Sequence, residues 1–145
     1  MKIFPISDLH FEFYETYSRL KCSVFAPYKG DADVVIAAGD IHTRGRGPEY
    51  LRTVFDNQEI ILISGNHEYY NSSLEEQEEL IRKQCRQYHV QYLQRDCVEI
   101  QGIRFAGCSL WSDFLLFGSK RKDKAIQEAQ RYMMDYSRIY IDEED

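Results

Sequence analysis

Basic residues, proline and tryptophan are all scarce in this chain: 18 lysines and arginines stand against 24 acids, with three prolines and a single tryptophan. The net charge of −6 opposes non-specific attraction to nucleic acid or anionic lipid, although a local cationic site, a bound metal included, can still hold a phosphate. No apolar run is long enough to span a membrane. Between Lys2 and the polar pair Ser7-Asp8 lie only Ile3, Phe4, Pro5 and Ile6, too little for the apolar core of a secretory signal, so the expected address is the cytoplasm. Cys22, Cys85, Cys97 and Cys108 are widely spaced and contain no CxxC pair, which excludes a zinc knuckle and a dithiol redox motif. They read as reduced, mostly buried thiols. Repeats, low-complexity tracts and linkers are missing too, and 145 residues fit one domain rather than two.

What is present is the composition of a soluble globular protein, 43% apolar and 29% charged. Ile3 to Ser7, Asp33 to Gly39 and Glu59 to Gly65 are short apolar runs ending in small or acidic residues, the pattern of strands buried on both faces. Pro5 cannot donate to a ladder, so the first of them is expected to carry a bulge or irregular pairing. Pro48 to Phe55 fits a short helix. From Ser72 or Ser73 a hydroxyl cap, early acids and later bases predict the most strongly signalled helix. Val90 to Leu93, Cys97 to Ile100 and Ile103 to Cys108 follow as strands, the last two joined by a turn at Gln101-Gly102. Ala125, Ala129, Met133 and Tyr136 share one face of a helix predicted over Lys122 to Ile139.

The chemistry lies where the first three strands end: Asp8-Leu9-His10, Gly39-Asp40 and Gly65-Asn66-His67-Glu68. Open sheets bind ligands at the carboxyl ends of their strands. Asp8 and His10, two residues apart, can project to the same side of a strand end while Leu9 turns into the core. Glycine before Asp40 and before Asn66 permits a sharp exit. Carboxylate, imidazole and amide oxygen suit manganese, iron or zinc rather than a thiolate site. A carboxylate can bridge two ions about 3.5–4 Å apart, and Asp40, between the other two motifs, is the natural bridge.

The three motifs, in this order and spacing, resemble those of the calcineurin-like metallophosphoesterases, and the likeness extends to Ala106-Gly107-Cys108-Ser109-Leu110-Trp111-Ser112-Asp113-Phe114. The resemblance implies an α/β layered sandwich of the metallophosphoesterase type, of which this chain supplies the N-terminal sheet and its flanking helices as one incomplete domain over residues 1–145. It implies hydrolysis of a phosphate mono- or diester by metal-bound hydroxide. Asp8 and His10 would hold the first divalent ion, Asp40 would bridge, Asn66 would hold the second, and His67 would be the catalytic histidine beside the leaving group.

The family also carries downstream metal-binding histidines, one of them in a Gly-His-x-His motif. After His67 this chain has only His89, outside any such glycine context. The second ion is then left with Asp40 and Asn66, so the site holds two ions as in the family or only one. Two further readings stay open beside the enzyme. One is an impaired remnant or half-domain whose uncovered edge and apolar face require a second chain or self-association. The other is a non-catalytic protein-binding module.

Each neighbouring residue also has a plainer reading. His42 is expected to be a loop histidine rather than a ligand, and His89 an imidazole at a strand start. Glu75, Glu76, Glu78 and Glu79 read as a solvated, dipole-favoured helix face. Trp111 and Phe114 to Phe117 are expected to pack rather than line a cleft. Arg44 and Arg46 read as solvated loop residues, with phosphate contact as the alternative. Asp113 has no derivable role.

Overall fold

Four parallel strands in the spatial order β1-β2-β3-β5 form the sheet that carries the three motifs. The structure is a computed structural model that describes residues 1–13 and 31–141; Cys22 and the acidic stretch 142–145 lie outside them. Along the chain run β1 (Ile3–Ile6), β2 (Val34–Ala38), α1 (Gly47–Val54), β3 (Glu59–Ile63), β4 (Ser72–Ser73), α2 (Leu74–Gln87), β5 (Gln91–Tyr92), β6 (Asp96–Ile100), β7 (Ile103–Gly107), α3 (Lys122–Tyr132), the single turn α4 (Asp135–Arg138) and β8 (Ile139–Tyr140). No helix among the described residues is long and apolar enough to cross a membrane.

The two-residue period of β2 and β3 divides the core. Val35, Ala37, Ile60 and Leu62 pack with Leu51 and Val54 of α1 and Ile81 and Cys85 of α2. Val34 and Ile61 join Leu93 in a separate cluster, against which Val98, Ile100 and Phe105 of the antiparallel β6–β7 hairpin pack. Each fully buried valine, leucine or isoleucine among them contributes roughly 1.5–3 kcal/mol. Ile6 pairs with Ala37 and Ala38 with Ile63, so the carboxyl ends of β1, β2 and β3 finish side by side.

The helix expected from Ser72 or Ser73 begins at Leu74, with Ser73 as its cap: the Ser73 hydroxyl accepts from the Glu76 N–H at 3.2 Å. Burial on both faces holds for β2 and β3 but not for β1, where Ile3 is exposed and Phe4 only half-buried. Pro5 causes no bulge. It sits in regular register opposite Ile36, because β1 is the sheet edge among the described residues and a missing N–H there costs no ladder bond.

Three other expectations are corrected. The helix over Lys122 to Ile139 stops at Tyr132: Met133 is extended (φ −99°, ψ 128°), and the chain turns so that Ile139 and Tyr140 pair with Ser72 and Ser73. Ala125 and Ala129 are half-buried, but Met133 and Tyr136 are exposed, so the predicted apolar stripe has nothing to pack against over its second half. Leu115, Leu116 and Phe117 are likewise exposed rather than packed, and Trp111 is half exposed with its ring 6.2 Å from that of Tyr69. Of the described thiols only Cys85 is buried; Cys108 is partly covered and Cys97, on β6, is exposed.

Candidate metal centre

Beyond the last strand residues, the first two exits run on as neighbours: the Asp8 N–H donates to the Gly39 carbonyl at 3.1 Å, His10 to Asp40 at 2.9 Å and Phe11 to Ile41 at 2.9 Å. Asp8, His10 and Asp40 all have left-handed backbone, with φ of 55°, 44° and 56°. This replaces the expected explanation. Strand alternation does not align Asp8 and His10, since β1 ends at Ile6; two left-handed residues flanking Leu9 do so instead. Such conformations cost about 1–3 kcal/mol each and persist where surrounding bonds impose them. The outcome is that one ligand atom each from Asp8, His10 and Asp40 lies within 4.8 Å of the others, with His10 Nε2 4.0 Å from Asp8 Oδ1. Leu9 packs against the main core, as expected.

The glycines serve close approach as well as turning. A Cβ on Gly65 would stand 2.3 Å from Asp40 Oδ1, and one on Gly39, where φ is +91°, would stand 2.6 Å from the Gly65 nitrogen. Only hydrogen fits between the second and third exits. Glu68 joins them from beneath. Its buried carboxylate accepts from the N–H groups of Asp40 (2.9 Å), Ile41 (2.7 Å), His42 (3.3 Å) and Gly65 (2.7 Å). Burial pushes its pKa up, and the N–H groups of Ile41, Asp40 and Gly65 pull against that rise.

His67 reaches the same point through two carboxylates. Its N–H donates to Asp40 Oδ1 at 3.0 Å, and its Nδ1 lies 3.1 Å from Glu12 Oε1. The same Glu12 oxygen is 3.3 Å from His10 Nδ1, and the two imidazole rings meet edge to face, 4.4 Å between centroids. Glu12 Oε2 is buried with no hydrogen-bond partner among the described residues. His10, Glu12 and His67 thus form a second group of ligand-capable atoms sharing His10 with the first. Asn66 lies at the same exit, with its amide nitrogen donating to the Tyr70 hydroxyl (3.0 Å) and to Asp135 Oδ1 (2.7 Å).

Asp8, His10 and Asp40 are therefore gathered directly, and His67 is tied to them through Asp40 and Glu12. Sequence reading passed over Glu12, Glu68 and Asp135. For Glu12 a signal existed, a second acid two residues beyond His10; Glu68 was visible only as the last letter of its motif, and Asp135 had none. Carboxylate and imidazole donors with an orphaned buried oxygen suit a divalent cation of the borderline class.

The other candidates fall elsewhere. His42 is buried against Tyr50, ring centroids 4.7 Å apart, with Nδ1 on the Thr43 carbonyl at 2.8 Å. His89 is exposed and stands with Glu59 and Gln91, the first residues of β3 and β5, at the opposite end of the sheet. Arg46 donates to the Tyr50 hydroxyl at 3.0 Å and lies over that ring, while Arg44 is exposed. Asp113 acquires a role as a turn former, accepting from the Leu115 N–H at 2.8 Å.

Comparison with curated proteins and with solved structures finds no match. The family model for calcineurin-like phosphoesterases matches residues 1–132. That span contains every strand exit and every side chain of the cluster except Asp135, and the chain belongs to the calcineurin-like phosphoesterase family.

Proposed function

We propose that this family member hydrolyses a phosphate mono- or diester at the three strand exits, in a reducing, cytoplasmic setting. The observation that carries this reading is the convergence of Asp8, His10 and Asp40 ligand atoms to within 4.8 Å. These three side chains would hold one divalent ion, manganese, iron or zinc by donor chemistry, and Asp40 with Asn66 would hold a second. Such ions, when bound, acidify a water and clamp the attacking and leaving oxygens of an in-line displacement.

The remaining work falls to the protein. Glu12 as a carboxylate only accepts, so it selects the Nδ1–H form of both imidazoles and leaves each Nε2 for use. His10 Nε2 turns to the side of Asp8. His67, when Nε2 also carries a proton while its Nδ1–H stays on Glu12, gives the Nε2 proton to the departing oxygen and is left as the neutral Nδ1–H ring, a contribution of about 10²–10⁴-fold on a well-placed substrate. Glu68 and the two glycines hold the Asp40 and Asn66 exits in contact, which keeps these roles at a common point.

A second reading is a half-site completed by another chain or a second copy. It is supported by the exposed Leu110, Leu116 and Phe117. The purified chain with added Mn²⁺ is expected to hydrolyse an aryl phosphate ester, and Asp40→Asn to abolish that activity; an unchanged rate in the variant overturns the assignment. Calorimetry separates the alternatives, because two tight Mn²⁺ per chain contradict an impaired half-site. Folding and partner binding that survive loss of the Asp8, His10 and Asp40 side chains, in a chain without hydrolytic activity, would favour a binding module.

A further inference from the structure

We infer that Asp135 is a positioning residue that decides which end of the Asn66 amide faces the metal centre. The inference rests on Asn66 being a ligand, as proposed above, but the residue making it is not part of the family pattern: Asp135 lies beyond the match, which ends at residue 132.

The hydrogen-bond donors leave one arrangement. An ionised carboxylate accepts and never donates. Asp135 Oδ1 is 2.7 Å from the Tyr70 hydroxyl and 2.7 Å from Asn66 Nδ2, so the phenol proton and one amide hydrogen both point at it. The Tyr70 oxygen, its proton given to Asp135, lies 3.0 Å from the same Nδ2 and shares the hydrogen aimed at Asp135, because the two oxygens are too close together to take one amide hydrogen each. Neither oxygen has a proton to offer back. Turning the amide over would set Oδ1 against a carboxylate oxygen and against a phenol oxygen with no proton to offer. The carbonyl oxygen is therefore the end left for a cation.

The segment is built to keep Asp135 there. The Asn71 N–H donates to the Arg138 carbonyl at 2.6 Å, Ser72 and Ser73 pair with Ile139 and Tyr140, and the Arg138 guanidinium lies 5.4 Å from the Tyr70 ring centre. Met133, Met134 and Tyr136 are exposed while Asp135 is half-buried, so this stretch turns its acid inward and its apolar side chains out. That reversal is unfavourable by burial alone, and a polar partner network explains it. Tyr70 in turn stacks beside His67, 4.3 Å between ring centres, which places the network along one wall of the site.

The test uses the full chain carrying Asp135→Ala, with Asp135→Asn as the conservative variant. In the metal-free protein, nitrogen-resolved NMR should show the Asn66 side-chain amide exchanging with solvent more slowly than that of the exposed Asn57, and at a rate approaching Asn57 in Asp135→Ala. Equal Asn66 rates in wild type and variant overturn the inference. In Mn²⁺ titrations the site removed by Asn66→Ala should weaken about 10–100-fold in Asp135→Ala, less in Asp135→Asn, while the other site is unchanged. Equal weakening of both sites, or a lower melting temperature with no change in either, would make Asp135 a structural residue and overturn its positioning role. A wild-type chain that takes up no Mn²⁺ would instead remove the metal reading of Asn66 and with it that half of the inference; the exchange rates alone would still decide whether Asp135 sets the amide.

Discussion

Glu12 places its Oε1 3.1 Å from His67 Nδ1, joining the first strand exit to the third across 55 residues of chain. Because the same oxygen also meets His10 Nδ1, one carboxylate orients the ring of an expected ligand and that of the expected proton donor together. Glu12→Ala, which removes the acceptor that both imidazoles share, is expected to weaken Mn²⁺ binding about 10–100-fold. Calorimetry checks it, and wild-type affinity in this variant would show that the imidazoles are oriented by something else.

Gly65 is expected to tolerate no side chain. Gly65→Ala drives a methyl group into the Asp40 carboxylate, 2.3 Å from Oδ1 before any relaxation, and moving the Asp40 exit aside should lower stability by about 1–3 kcal/mol. Mn²⁺ uptake should fall in parallel. A thermal melt and a metal titration on the same sample make the comparison; a destabilised variant with intact metal binding would separate the glycine contact from the site.

Glu68 should matter through backbone rather than substrate. Glu68→Gln keeps the volume but replaces one carboxylate oxygen by an NH2 group, so either the Ile41 and His42 N–H groups or those of Asp40 and Gly65 face a donor and lose their acceptor. Leaving a buried donor unsatisfied costs about 1–3 kcal/mol, readable as a lower urea midpoint. A midpoint equal to that of wild type would mean that the two exits are held by the sheet alone.

Alkali should loosen the fold before it unfolds it. Burial raises the Cys85 thiol from 9.0 to about 12, and burial followed by the Asp135 carboxylate raises Tyr70 from 10.0 to about 12. The folded chain keeps these protons where the unfolded chain gives them up. This part of the stability is therefore whole below about pH 9 and is lost as the pH climbs toward 12. Urea midpoints measured near pH 8 and near pH 11 should fall, and fall less in Tyr70→Phe. At the lower pH a thiol reagent should label the exposed Cys97 at once and Cys85 only in denaturant; rapid labelling of Cys85 would contradict its burial.

The sequence by itself determined most of the local elements and the candidate ligands by type: the continuous apolar Val-Val-Ile-Ala-Ala and Glu-Ile-Ile-Leu-Ile runs, the Ser73 cap, and acids, imidazoles and an amide placed where strands end. Those signals are short-ranged, carried by hydrophobic period and by turn chemistry within a few residues. What only the tertiary structure decided is which groups meet. Left-handed backbone at Asp8 and His10, rather than strand alternation, aims the first pair. Glu12 finds His67 across 55 residues, and Asp135 finds Asn66 across 69, after a helix that periodicity extends to Ile139 has stopped at Tyr132. Contacts at such separations depend on how strands are ordered and where chain segments return, and these are settled by packing and ladder pairing of the whole chain, which no local pattern encodes.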